Sequence, residues 1–545
     1  MNRTAGILWV WGVFVAIWYC SVPASQAYAL EESTGPGGSN AIAVHQLGET
    51  GQGVNVGVIL TGSVLTTHEA FKDSNGLPHA FNFDFTGDGN SILAHDTQLA
   101  GIISSRGDTA HPNDIGVAPG AYIYCARVVD NDNNLWWDNL DSALGTLITD
   151  YNCRVIVTGF EILGIEPNGD NPWTMLYDYY AYQYGVVFAN AAGNENTYVA
   201  IFGDAYNGIT TGGLRLTDPN NQYDYRRVGL VSGSGPTADG RRKPDIVAPA
   251  QNQTVPTSSS DTAWTTVGTE RGQTSYSVPH VAGAAALLLG LADKTPGPND
   301  NRSEVIKAVL VNSAMPNVDN KAGVGTNPAD SNNTWNGDRG YGRLDVLRAY
   351  QLLDTNEIDP DVNITQDRGW AFGTLEPNQM NVYKISVSAR CRLIATLTWQ
   401  RRVEWGSDAL YAYLADLDMT VYSPNEPNAI FSEKIFHLDP NDNLQKCDIL
   451  LTSPGDYTVV IDNNSTDGET ADYGFAFELH PIMTGDINKV DYIVDMNDLV
   501  TLIQDWLAED SEFDCILAPN GIIDFADFAK LAENWLQIDP FYYQF

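Results

Sequence analysis

An α/β fold built on a doubly wound parallel sheet is predicted for the first and largest part of this chain, and three observations mark out its architecture. Apolar, β-branched runs such as Val56-Gly57-Val58-Ile59-Leu60, Val155-Ile156-Val157 and Val186-Val187-Phe188 alternate with alanine-rich segments of helical length such as Val281 to Leu289. That is the pattern of buried strands covered on both faces by helices. After about residue 362 the helical segments stop and short alternating strands take over, which predicts a β-sandwich. Near the C-terminus, Asp495 to Leu507 recurs as Asp524 to Leu536, which predicts a small helical repeat. The chain then divides into an export signal at 1–29, the α/β domain at 30–353, the β-sandwich at 362–482 and the repeat at 484–540.

In chain order, residues 7–20 are apolar and follow Arg3, and Ala27-Tyr28-Ala29 offers a small-x-small cleavage site. The apolar core is shorter than the ~20 residues a spanning helix needs. Cleavage and export are therefore expected, with no transmembrane segment afterwards. Lys and Arg total 29 against 68 Asp and Glu, a net charge of −39. Such acidity argues against nucleic acid or anionic membranes as partners and suits an exported, calcium-rich setting. Six cysteines in 545 residues do not build a disulfide framework. Cys125 and Cys153 are expected as free buried thiols, while Cys391 and Cys447, both in predicted strands, are candidates for a bridge.

Within the α/β domain, Gly272-Gln273-Thr274-Ser275-Tyr276-Ser277-Val278-Pro279-His280-Val281-Ala282-Gly283 places Ser275 at the mouth of an apolar helix. A serine there sits at the positive end of the helix dipole, among N–H groups without intrahelical partners. This suits a nucleophile whose attack creates an oxyanion; an N-cap is the other use of such a serine. Other segments accompany it in order: Gly53 to Gly62, a strand; Ala94-His95-Asp96-Thr97-Gln98-Leu99-Ala100-Gly101; Gly116-Val117-Ala118-Pro119 into the next strand; and Val186 through Ala191-Ala192-Gly193-Asn194-Glu195. Gly235-Pro236-Thr237-Ala238-Asp239-Gly240-Arg241 with Lys243-Pro244-Asp245-Ile246-Val247-Ala248-Pro249 follows, and Ser303 to Ala314 and Gly340 to Asp345 close the set. Together they resemble the subtilisin-like serine proteases (subtilases, peptidase family S8) over roughly residues 43–353.

The resemblance implies an Asp-His-Ser triad with His95 as base, Ser275 as nucleophile and Asn194 in the oxyanion hole. The strand position for the aspartate is Leu60. An aliphatic side chain can neither accept the imidazole N–H nor offset its positive charge. In subtilisin, loss of this acid alone costs roughly 3 × 10⁴ in kcat, about 6 kcal/mol. Further departures cluster nearby. Asp96 stands where the family has glycine, Gln98 replaces a second histidine, and Gln273 replaces the glycine two before the nucleophile. Val155 to Glu161 resembles the strand whose end lines the substrate groove, here Gly159, Phe160 and Glu161, with Glu161 in place of a glycine. Large side chains at glycine positions narrow a groove that needs close backbone approach. Asp96 is a candidate substitute acid, but adjacent residues on a helix do not face each other. Asp84 and Asp88 are further acids, in what reads as an acidic loop.

Only residues 30–42 separate the expected cleavage site from the first segment of the resemblance, which leaves no room between them for the propeptide many such proteases carry. The expectation is a secreted serine endopeptidase acting on polypeptides through an acyl-enzyme, with weak or atypical activity. The alternative is an inactive pseudoprotease serving as a peptide-binding or surface scaffold. No organic cofactor is implied.

The β-only region resembles the jelly-roll domains appended to many secreted subtilases. In the repeat, an Asp-x-x-Asp pair opens each amphipathic helix: Asp495 and Asp498, then Asp524 and Asp527. Ahead of the first stand Asp486, Asn488 and Asp491, and ahead of the second Asn520. Oxygen ligands at alternating positions ending on a first helical turn suit Ca²⁺; helix N-caps are the plain use of the same acids. The module resembles a type I dockerin, which implies bound calcium and a cohesin-like receptor. Its first loop has an extra residue between Asn488 and Asp491, and its second lacks a clean leading Asp-x-Asn.

Overall fold

The structure, a computed structural model, describes residues 30–537 except 219–220, 222, 296, 298, 325–334, 425–433, 439–441, 452, 482–484, 486–493, 495, 505 and 508–521. Residues 1–29, expected to be an export signal, and Cys515 fall outside the described residues.

The first domain is organised by one sheet. Its strands are β1 (Asn55–Leu60), β2 (Ala80–Asp84), β3 (Tyr122–Arg127), β4 (Cys153–Thr158), β5 (Val187–Ala191), β6 (Gly208–Arg215), β7 (Arg227–Val228) and β8 (Ile246–Pro249). They run in the order β2-β3-β1-β4-β5-β6-β7, with β8 also beside β6. Every pairing is parallel except β6 with β7. The alternation along β1, β4 and β5 explains why both faces are covered. Val56, Val58, Leu60, Val155, Val157, Val187 and Ala189 share one core with the helices Ala94–Ser104 and Val278–Ala292. Ile59, Ile156 and Phe188 point the other way, into a core shared with Trp137–Gly145 and Pro172–Tyr184. The doubly wound α/β expectation holds. Every residue of Val278–Ala292 is buried, so its unbroken hydrophobicity reflects a central position in the core rather than a membrane.

The β-only region forms two large, mainly antiparallel sheets and a small two-stranded one, Arg402–Trp405 with Leu410–Tyr413. One large sheet runs Asn363–Ile364, Met380–Val387, Gly455–Asn463, Leu417–Tyr422, Lys434–Leu438, and the other Arg368–Leu375, Ala471–Pro481, Cys391–Trp399, Leu444–Leu451. Between them lies a core including Tyr383, Leu393, Leu397, Trp399, Met419, Val459 and Phe475. The second sheet turns its outer face to the first domain: Trp370, Leu444 and Ala476 belong to the α/β core. Thr396 Oγ1 donates to Asn312 Oδ1 at 2.9 Å and Thr398 Oγ1 to Glu304 O at 2.8 Å, both on the helix Ser303–Asn312. Lys446 Nζ donates to Val311 O at 2.7 Å and Asn312 O at 3.3 Å, covering carbonyls that a helix C-terminus leaves unpaired. Arg348 pairs with Glu478 at 2.7 Å and Arg401 with Asp178 at 2.7 Å, all four buried.

A bridge between Cys391 and Cys447 is overturned. All four described cysteines, Cys125, Cys153, Cys391 and Cys447, are free and buried. Cys391 lies opposite Leu451 while Cys447 lies opposite Ala395. The offset of four residues is about 14 Å along a strand, far beyond disulfide reach. In the C-terminal repeat, helices Met496–Gln504 and Phe525–Glu533 pack through Leu502 and Leu531, with Val494 and Ile523 alongside.

Candidate active site

Strand order places the site. From β1 the sheet extends to one side through β3 and β2 and to the other through β4, β5 and β6. Ligands of open parallel sheets sit at the carboxyl ends of the strands where this reversal occurs. Leu60 ends β1, Gly159-Phe160-Glu161 follows β4, and Gly193-Asn194 follows β5. His95 is the second residue of the helix Ala94–Ser104, whose N-terminus opens at the same edge. Ser275 lies in the 3₁₀ turn Thr274–Tyr276, just ahead of the core helix Val278–Ala292.

His95 Nε2 is 3.0 Å from Ser275 Oγ. The serine is 6% exposed, while the imidazole keeps 40% of its surface open to the groove. Tyr276 flanks the imidazole, ring centroids 5.6 Å apart, and its hydroxyl donates to Gln98 Oε1 at 3.0 Å. Gln98 thus fixes the aromatic wall beside the base. Asn194 Oδ1 accepts from Thr274 N at 2.9 Å. This orients the amide beside the nucleophile and leaves Nδ2 as its donor.

That donor already has a partner. Asn194 Nδ2 donates to Glu161 Oε1 at 3.4 Å, and Asn194 N donates to Glu161 Oε2 at 3.1 Å. A Cβ on Gly193 would lie 2.5 Å from Glu161 Oε2, so the carboxylate is packed against the turn that presents Asn194. Burial raises the Glu161 carboxyl above its ordinary range, partly offset by the Asn194 hydrogen bonds. Sequence reasoning treated Glu161 as bulk and missed this contact. The adjacency of β4 and β5 would have revealed it, since residues just past neighbouring strand ends meet. Phe160 packs edge-on against Phe202, centroids 5.8 Å apart, and a Cβ on Gly159 would strike Leu99 Cδ1 at 2.5 Å. Gln273 Oε1 is buried with no hydrogen-bond partner among the described residues.

Leu60 is 1% exposed and packs in the α/β core. Asp96, 1% exposed, accepts from Gly62 N at 2.7 Å through Oδ2, and its Oδ1 lies 3.4 Å from His95 Nδ1. The expectation that neighbours on a helix stay apart is corrected here. The two residues occupy the open first turn, and the imidazole spans from Ser275 at Nε2 to Asp96 at Nδ1. The facing rule concerns side chains on the flank of a continuous helix. Asp84 and Asp88 serve their own loop. Asp84 accepts from Thr86 Oγ1 at 2.6 Å and Gly89 N at 2.8 Å, and Asp88 accepts from Asn131 N at 2.8 Å.

The model of the subtilase family matches residues 51–342. The chain belongs to the subtilase family. It is 29% identical over 263 residues to pyrolysin of Pyrococcus furiosus, covering 44% of this chain and 18% of pyrolysin. It is 26% identical over 331 residues to the membrane-bound transcription factor site-1 protease of Homo sapiens, covering 59% of this chain and 27% of that protein. Subtilisin BL of Lederbergia lenta is 29% identical over 256 residues, 46% of this chain and 80% of subtilisin BL. The subtilase thus spans well under half the length of the first two relatives.

Of the oxygen-bearing residues predicted to hold calcium in this subtilase, Asp486, Asn488, Asp491, Asp495 and Asn520 lie outside the described residues. Asp498 and Asp527 are fully buried. Asp524 and Asp527 form a reciprocal capping box: Asp524 Oδ1 accepts from Ala526 N at 2.7 Å and Asp527 Oδ2 from Asp524 N at 2.9 Å. These two acids are satisfied by backbone amides, so their placement does not by itself call for a cation.

Proposed function

We propose that this subtilase is a serine endopeptidase of low turnover. The observation that carries this reading is the 3.0 Å contact between His95 Nε2 and Ser275 Oγ at the carboxyl edge of the sheet. On substrate binding, His95 Nε2 takes the Ser275 hydroxyl proton as Oγ attacks a peptide carbonyl. The carbonyl oxygen becomes an oxyanion facing Asn194 Nδ2. Collapse breaks the C–N bond, the amine leaves with the proton from His95, and water repeats the sequence to free the acid. Glu161 restrains this chemistry, because its carboxylate sits on the amide that must meet the developing negative charge. Export to the cell exterior goes with this reading, supported by the N-terminal sequence. The C-terminal repeat is read as a calcium-stabilised pair of helices that docks to a cohesin-like receptor, supported by its internal repetition.

The same Glu161 contact favours a second reading, a non-catalytic peptide-binding scaffold. A fluorophosphonate probe separates the two. It is expected to label Ser275, with Ser275→Ala abolishing both labelling and peptide hydrolysis. Equal hydrolysis by wild type and Ser275→Ala, or no labelling of wild type, would refute the enzymatic reading.

A further inference from the structure

We infer that Asp96 is the positioning residue for His95, supplying from the helix the carboxylate that β1 lacks; this rests on the serine-endopeptidase reading. Three observations converge. The carboxylate bridges two groups at the end of β1: Oδ2 accepts from Gly62 N at 2.7 Å and Oδ1 faces His95 Nδ1 at 3.4 Å. Gly62 is two residues beyond Leu60, so the Asp96 carboxylate lies against the same turn from which an acid at position 60 would act. The second observation is burial. Asp96 is 1% exposed, and among the described residues His95 is the one basic side chain within ion-pair distance of it. An acid at the first turn of a helix ordinarily gains from the dipole while remaining hydrated; a buried one needs hydrogen bonds and a counter-charge. Gly62 N supplies the bond, and the imidazolium formed during turnover supplies the charge. The third observation is Leu60, packed as core with no polar role. Loss of the acid at 60 and gain of one at 96 are one exchange, which keeps a carboxylate at Nδ1 while its backbone anchor moves from strand to helix. Contacts of this kind are often long before substrate binds and tighten in the Michaelis complex, so a separation of 3.4 Å is compatible with the role.

With Asp96 in place, Nδ1 keeps its proton and Nε2 is the free base that faces Ser275. When Nε2 accepts the serine proton, the Asp96 carboxylate stabilises the resulting cation without itself taking a proton. The exchange also reverses the effect expected of restoring the strand acid. Leu60→Asp alone would put a second carboxylate beside the first, in a buried site where like charges resist joint ionisation.

The test uses the full-length protein and four variants: Asp96→Asn, Asp96→Gly, Leu60→Asp and the double swap Leu60→Asp/Asp96→Gly. Asp96→Asn is expected to lower kcat by about 10³–10⁴ with little change in KM. Asp96→Gly should show the same loss, Leu60→Asp should give no gain, and the double swap should recover most of the wild-type rate. Proton NMR adds a readout independent of turnover: the downfield Nδ1–H resonance of His95, the mark of a hydrogen bond to a carboxylate, should move upfield or vanish in Asp96→Asn. An unchanged kcat and an unchanged Nδ1–H resonance in Asp96→Asn would overturn the inference even if a structural variant failed to fold. Wild type without hydrolysis but with that resonance present, and lost in Asp96→Asn, would remove the enzymatic reading while leaving the Asp96–His95 pairing in place.

Discussion

Under the serine-endopeptidase reading, Glu161 and the oxyanion would compete for one amide hydrogen. Asn194 Nδ2 donates to Glu161 Oε1 at 3.4 Å, and in acyl transfer the same N–H would serve the carbonyl oxygen. One such donor is worth about 10²–10³ in kcat. Glu161→Gly should therefore raise kcat/KM by roughly tenfold to a hundredfold, and Glu161→Gln should gain less because it removes charge and keeps bulk. Acid should narrow the difference. Burial raises the Glu161 carboxyl, so it becomes neutral above the usual carboxylate range and its penalty fades as pH falls. The ratio of Glu161→Gln to wild-type rates, which cancels the shared His95 limb, should shrink toward one with acidification. A ratio flat in pH would mean that bulk, not charge, is the restraint. At this scale the meeting of His95 with Ser275 is legible in the sequence, because each sits in a motif whose backbone requirements leave a signature in the flanking residues. The approach of Asp96 to His95 is not, since the spacing rule for helix flanks does not hold in an open first turn.

Among the elements, the Cys391–Trp399 strand shows where pattern reading falls short. Leu393-Ile394-Ala395-Thr396-Leu397-Thr398-Trp399 alternates like a strand with one wet face, yet Thr396 and Thr398 are fully buried against the helix Ser303–Asn312. The polar face meets polar groups rather than water, and alternation alone cannot tell the two apart. Lys446 reads as a surface lysine for the same reason; burial lowers its ammonium to about 7. The segment 354–361, acidic enough to read as a linker, is held in place instead, with Asn299 Nδ2 donating to Glu357 Oε1 at 2.8 Å and Ile358 N to Trp370 O at 2.8 Å. In the second copy of the C-terminal repeat, the capping box satisfies Asp524 and Asp527 with backbone amides; the proposed calcium binding makes its own prediction for the repeat as a whole. Titrating chelator-treated full-length protein with Ca²⁺ should give binding heat and a gain of helical circular dichroism, because crowded loop carboxylates repel until a cation offsets them. No heat and identical spectra would reduce the repeat to a capped helical hairpin.

Across the whole molecule, buried histidines tie the first domain together and set its response to acid. His280 Nδ1 lies 3.1 Å from Ser39 Oγ and Nε2 lies 3.2 Å from Gln253 Oε1, joining the N-terminal segment and a β-hairpin to the core helix. Burial lowers His280 to about 3 and His79 to about 4, and also lowers His45 and His68. The unfolded chain takes up these protons near 6.5, the ordinary value for histidine, and the folded chain does not. Between that value and the folded pKa the unfolded state binds more protons, so stability falls as pH drops through this window. Buried carboxyls raised by desolvation, including Asp204, Glu304 and Asp442, act in the opposite sense, because the folded state holds their protons more tightly. The histidine contribution is therefore read from a difference between proteins rather than from one curve. His280→Gln keeps hydrogen-bonding capacity and cannot titrate. Its denaturation midpoint is expected below wild type at pH 8, with the gap closing as pH falls from about 6.5 toward 4, where only wild type bears the cost of a histidine kept neutral. A gap constant across that range would assign His280 a packing role with no part in acid sensitivity.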